Sequence, residues 1–231
     1  MNVLTFDLET TGLDFDSDQI TQFAAMRFSD GKIREFQFKL PATKQLSEAA
    51  AEKTGFDLDS LKKDSPFNDY NEALKNALNV IVSAISNDYV ICGYNVSFDL
   101  TMLFNNAARE LNVNKTALSK LFNIALVYDA YVIDKEYRRN TNGMSRRLVD
   151  VADFYEVPSK PNHDAKYDVR ATFEVMQAQL QSYNDKLGDS KEQICKDCKL
   201  AAIAQRESLN MWLKTKEHEK LYEGFPILKE A

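Results

Sequence analysis

The chain has 231 residues, of which 44% are hydrophobic and 28% charged, a mix that supports one folded domain with an extension and argues against long disorder. Its formal net charge of −6 excludes a general polyanion-coating protein, so any nucleic-acid contact must come from a local basic patch or a bound cation. No apolar run is long enough to span a membrane, and the first residues run straight into a strand pattern rather than a signal peptide.

Residues 2–9 read as a β-strand. Side chains alternate along a strand, so Asp7 and Glu9 share one face, roughly 7 Å apart. Two carboxylates that close repel, and burial raises their pKa unless a cation lies between them. Thr10-Thr11-Gly12 ends the strand in a polar turn. Taken alone, Asp-x-Glu also fits a solvent-facing strand. Asp14-Phe15-Asp16-Ser17-Asp18 opens like a calcium loop, but Gln19 and Ala25 stand where that loop needs glycine and glutamate, so the segment is a turn. Residues 20–28 and 33–40 flank Asp30-Gly31, a strong hairpin signal, which makes the first three strands an antiparallel meander.

The polar stretch 41–67 holds at most a short helix over residues 47–53. Tyr70, Leu74, Ala77, Ile81 and Ile85 recur at helical spacing. Residues 89–93 read as a buried strand, followed from Ser97 by a helix with Leu100, Leu103, Phe104, Ala107 and Leu111 inward. Residues 124–128 are a candidate fifth strand. Helices follow around Leu148–Tyr155 and over residues 165–180, and strands alternating with helices make an α/β domain with a mixed sheet. Gly188 marks a joint before a helix bearing Cys198, Ala202, Gln205, Leu209 and Trp212. The three cysteines, Cys92, Cys195 and Cys198, are too few for a disulfide scaffold and fit a reducing cytoplasm. Cys195 and Cys198 lack the further ligands of a structural zinc site and read as reduced thiols on that helix.

Two more acids stand where α/β folds bind ligands. Asp99 follows the buried strand in the first turn of a helix, and Asp168 lies in the first turn of the last helix of the domain. His163 precedes that helix and is one of two histidines in the chain. Carboxylates without thiolates suit hard cations, Mg²⁺ or Mn²⁺, and two such ions can serve both the attacking and leaving oxygens of a phosphodiester. Lys135, Arg138, Arg139, Arg146 and Arg147, opposed by Glu136, form a local basic run that fits either a solvated loop or a track for a nucleic-acid backbone. Asp129 is a candidate supporting acid.

Asp7-x-Glu9 with Thr10-Thr11-Gly12, then Asn95-x-x-Phe98-Asp99, then His163-x-Ala165-x-x-Asp168-x-x-Ala171-Thr172 resemble, in order, the three motifs of the DEDDh 3′–5′ exonucleases. Lys166 and Val169 depart from the common pattern without touching the acids. The resemblance covers residues 1–183 and implies an RNase H-like fold, with a central mixed five-stranded sheet flanked by helices. Residues 184–231 are then a helical C-terminal extension, expected to be dispensable for chemistry. The resemblance further implies Asp7, Glu9, Asp99 and Asp168 as ligands of two Mg²⁺ or Mn²⁺ ions and His163 as general base. Thr10, Thr11 and Leu13 would contact the terminal nucleotide; Phe98 is a further substrate-binding candidate, and Arg138 and Arg139 of the basic run are the candidates for the backbone track. The expected substrate is the 3′ end of a single strand, DNA before RNA, cut to nucleoside 5′-monophosphates. The alternatives are an RNA-trimming enzyme and a non-catalytic binding module. A polymerase or other replication partner, as in proofreading, is the expected association.

Overall fold

The computed structural model describes residues 1–138, 143, 145–158, 165–218 and 220–230. Three strands open the fold: β1 (Val3–Thr10), β2 (Ile20–Ser29) and β3 (Lys32–Lys39). They form the expected antiparallel meander, and Asp30 and Gly31 both take positive φ, as the tight hairpin turn requires. Two short helices, α1 (Glu48–Thr54) and α2 (Leu58–Asp64), precede the long α3 (Tyr70–Ser86). β4 (Val90–Gly93) then leads into α4 (Val96–Glu110), and α5 (Lys115–Ile124) into β5 (Leu126–Asp129). α6 (Ala130–Tyr137), α7 (Leu148–Phe154) and α8 (Ala165–Ser182) complete the region covered by the motifs. α9 (Lys191–Lys214) and the small hairpin of β6 (Tyr222–Glu223) and β7 (Lys229–Glu230) form the extension.

The sheet order is β3-β2-β1-β4-β5, antiparallel on the β2 side of β1 and parallel on the β4 side. This is the expected mixed sheet. β1 is central, which explains why Val3, Leu4, Phe6 and Leu8 are all buried although they belong to both faces of the strand. β3 lies at an edge and is largely exposed. α8 packs across β1 and β2, while α3 and α4 pack on each other and against the sheet.

Three helices go beyond the sequence reading. α2, α5 and α6 are short, at 7, 10 and 8 residues, so each offers few turns of pattern to read; Leu61 is the one buried residue of α2. The fifth strand starts at Leu126 rather than Ile124 because α5 continues through Ile124.

The extension is fastened to the domain. α9 packs on β5 and α6, Asp129 N–H donates to Cys198 Sγ at 3.2 Å, and Gln205 Nε2 donates to the Val132 carbonyl at 3.1 Å. Cys195 and Cys198 are free, buried thiols whose pKa values burial raises, as a reduced helix-borne pair should be. Beyond α9, Phe225, Ile227 and Leu228 are buried, and Leu228 N–H donates to Thr101 Oγ1 at 2.9 Å. A chain ending at Ser182 should therefore lose about 3 kcal/mol or more through the apolar surface it uncovers. For a domain of this size that lowers the melting temperature by roughly 6–12 °C, measurable by calorimetry.

Candidate active site

The site is built at the C-terminal half of β1. Its pairing with β4 ends at Thr5↔Cys92, so the β1 backbone beyond that point lacks a neighbour on this side. Asp99, in the first turn of α4, fills the place: its Oδ1 accepts from Leu8 N–H at 3.1 Å. Asn95 makes this possible by turning the chain through the left-handed region (φ 59°) just before α4, with its own N–H donated to Asp129 Oδ1 at 2.9 Å. Asp129 also accepts from Tyr131 N–H and caps α6.

Glu9 lies on the same face as Asp7 and is buried. Its Oε2 meets Lys53 Nζ at 3.0 Å, whereas Oε1 is buried with no hydrogen-bond partner among the described residues. Lys53 stands in the last turn of α1, and Ser47 N–H, just ahead of that helix, donates to the Thr11 carbonyl at 2.8 Å and so fixes α1 to the end of β1. Gly12 admits the chain past Asp18, since a Cβ there would come within 2.4 Å of Asp18 Oδ2. Thr10 Oγ1 donates to the Gly12 carbonyl and Thr11 Oγ1 to Asp18 Oδ1, so both hydroxyls shape the turn. Leu13 beyond them is 79% exposed. Phe98 is half-buried with its ring 5.4 Å from that of Phe15.

Asp7, Lys53, Asp129 and Asp168 line one cavity of about 580 Å³. Burial, then Asp99, Glu9 and Asp168, push the Asp7 carboxyl well above the usual carboxylate range, with Lys53 pulling the other way. Burial likewise raises Asp99 against the Leu8 N–H bond, with Glu9 and Asp129 adding to it. Asp129 is pushed up to about 6 by burial, against several backbone N–H donors. Burial opposes the Lys53 ammonium, yet Glu9, Asp7 and Asp168 together raise it above the usual lysine value.

The motif acids thus gather around one strand end, where Asp99, Glu9 and Asp168 all act on Asp7. Among the described residues, no three carboxylate, thiol or imidazole groups stand close enough to chelate an ion as they lie. The donor set still fits a hard divalent cation: all donors are oxygens, and Glu9 Oε1 is a buried acceptor with no hydrogen-bond partner among the described residues.

His163 and Arg139 lie outside the described residues. Arg138 requires a correction: it is buried, its Nε and Nη2 donate to Asp134 at 2.7 and 2.9 Å, and its guanidinium lies over the Phe154 ring, so it is an internal ion-pair partner and no backbone track. Arg146 and Arg147 of the same run do line the cavity. Lys53 escaped the sequence reading, since an ion pair across 44 positions leaves no periodic signal.

A mixed five-stranded sheet with acids gathered at the end of its central strand is the architecture of an RNase H-like nuclease. The exonuclease (RNase_T) family model matches residues 4–176, and the chain belongs to that family as a DEDDh-type 3′–5′ exonuclease. It is 28% identical over 184 residues to the PolC-type DNA polymerase III of Caldanaerobacter subterraneus subsp. tengcongensis, covering 79% of this chain and 12% of that protein. Identity to the PolC-type polymerase of Bacillus cereus is 26% over 198 residues, covering 82% of this chain and again 12% of the relative. The fold resembles that of E. coli Exonuclease I in complex with a dA16 oligonucleotide, with a TM-score of 0.66 and 20% identity over 80% of this chain and 42% of that one. The chain therefore spans a small part of the polymerases and less than half of Exonuclease I.

Two outcomes follow from this geometry. Because the folded pKa of Asp7 lies above its unfolded value, the stability this group contributes is greatest at low pH and falls as pH rises through that interval. In EDTA, Asp7→Asn should melt a few degrees above the wild type at pH 8, and the gap should close toward pH 4. Arg138→Ala leaves Asp134 buried with Arg146 as its remaining cation, and should cost about 3 kcal/mol in urea unfolding.

Proposed function

We propose that the chain hydrolyses single-stranded nucleic acid from its 3′ end in a reaction that depends on Mg²⁺ or Mn²⁺, with DNA preferred to RNA. The observation that carries this reading is the coupled acid cluster on β1, α4 and α8, with an orphaned Glu9 oxygen, inside a chain of the exonuclease family. Asp7, Glu9, Asp99 and Asp168 would hold two ions. When bound, such ions supply the positive charge that activates water and offsets the leaving oxygen. Asp99 is oriented for its part by Leu8 N–H, and Lys53 balances Glu9 until that charge is replaced. His163, five residues before Asp168 in the third motif, takes the proton from the attacking water. Exposed Leu13, next to the Thr10–Gly12 turn, meets the terminal base. DNA preference draws support from the single-stranded DNA held by Exonuclease I, and an association with a polymerase from the likeness to PolC-type enzymes. Three free cysteines support a cytoplasmic setting, and no described helix is long and apolar enough to cross a membrane.

The test is product analysis on 5′-labelled dT10 and U10 with Mg²⁺ or EDTA. Shortening from the 3′ end with release of 5′-monophosphates, abolished by EDTA, is expected, and faster on DNA. His163→Ala should lower kcat by roughly 10²–10⁴-fold while metal binding, followed by calorimetry, is retained. Full turnover in EDTA would overturn the metal dependence, and recovery of the variant at high Mn²⁺ would make His163 a ligand instead of a base.

A further inference from the structure

The cavity that holds Asp7 and Asp168 on one side is walled on another by α6, α9 and the segment before α7. Four cations line that wall: Lys135, Arg146, Arg147 and Arg206. Two of them are occupied, Arg146 with Asp134 at 3.0 Å and Arg147 with Asp150 at 2.8 Å. Lys135 and Arg206 have no ion-pair partner among the described residues, although both are half-buried. Burial and the nearby charges of Arg146 and Arg206 hold the Lys135 ammonium below its usual value. Burial also lowers Arg206, against the pull of Asp129 and Tyr131. Partly desolvated like charges facing a shared cavity carry an electrostatic cost that an anion would relieve.

Position decides which anion. A 3′ end seated at the acids leaves only the 5′ part of the strand to pass through the rest of the cavity, and that part presents one phosphate per nucleotide. We infer that Lys135 and Arg206 grip a backbone phosphate on the 5′ side of the scissile bond, making α9 part of the substrate site. This rests on the exonuclease reading. It adds a contact from beyond residue 176, where the family match ends. Arg206 takes this position because Cys198 and Gln205 on the same helix are fixed to β5 and α6. The shared chemistry is a phosphodiester, so DNA and RNA should feel the contact alike.

The experiment measures anisotropy of 5′-labelled dT10 and U10 across a salt series, in the Asp7→Asn background to prevent turnover. Combining Lys135→Gln and Arg206→Gln should weaken both oligonucleotides about tenfold at low salt and reduce the slope of log affinity against log salt by about 0.7. Arg206→Lys, which keeps the charge, should keep the slope. An unchanged slope in the double variant, or the same loss in Arg206→Lys as in Arg206→Gln, overturns the inference and leaves Arg206 as a packing residue. Loss confined to U10 or to dT10 also overturns it, because the contact would then be to sugar or base. Wild-type turnover of dT10 and U10 is assayed alongside: no turnover of either refutes the exonuclease reading itself, whereas normal turnover with an unchanged slope refutes only the phosphate contact.

Discussion

Everything at the site depends on crowding carboxylates at the end of a buried strand. Asp7 and Glu9 are brought together by the period of the strand itself, and Asp99 is added because β4 stops short and frees Leu8 N–H. Each pKa unit by which such a group is raised represents about 1.4 kcal/mol withheld from its ionised form. A domain with a net stability of about 5–15 kcal/mol can bear that only if neighbours share the load. Here the neighbours are Lys53 against Glu9, and backbone N–H groups against Asp99 and Asp129. The remaining imbalance is the negative charge that, on the proposed reading, a bound divalent cation would offset.

Much of this was legible before any coordinates. The Asp30-Gly31 hairpin, the short apolar β4 and the periodic α3 and α4 each carry a local signal, and each stands where that signal places it. The motif acids were singled out by their ordered resemblance to the three exonuclease motifs, since strand period alone leaves Asp7 and Glu9 equally suited to a solvent-facing strand. What stayed hidden is non-local. Lys53 belongs to a helix of seven residues whose position is set by one backbone hydrogen bond to Thr11. α9 docks through the first half of the expected stripe, with Cys198 buried beside Cys195 and Gln205 bonded to Val132, while Trp212 at its far end remains 54% exposed.

The basic run after α6 shows how one stretch of like charges divides on folding. Asp134, fully buried on α6, draws in Arg138 through two bonds and Arg146 through one. Arg146 Nη2 also donates to the Arg138 carbonyl at 2.7 Å, which ties Arg146 to the end of α6. Arg138 is thereby internalised, and Arg146 is left on the border between core and cavity. Net charge along the chain would not separate these two arginines; the location of a single aspartate does.

The two margins of the sheet are protected by different means. Along β5, α9 covers the strand, and Cys198 Sγ takes the N–H of Asp129 that another chain would otherwise find unpaired. Along β3, among the described residues, α2 packs on the strand but no helix covers it as α9 covers β5, and its exposed part carries Lys32, Arg34 and Glu35, with Arg34 drawn over the Phe36 ring. Charged side chains on an open edge discourage strand-to-strand joining between molecules. Resistance to self-association is thus built twice into this sheet, by a covering helix at one border and by charge at the other. An otherwise unremarkable thiol on α9 thereby helps keep the β5 border from serving as a template for a neighbouring molecule.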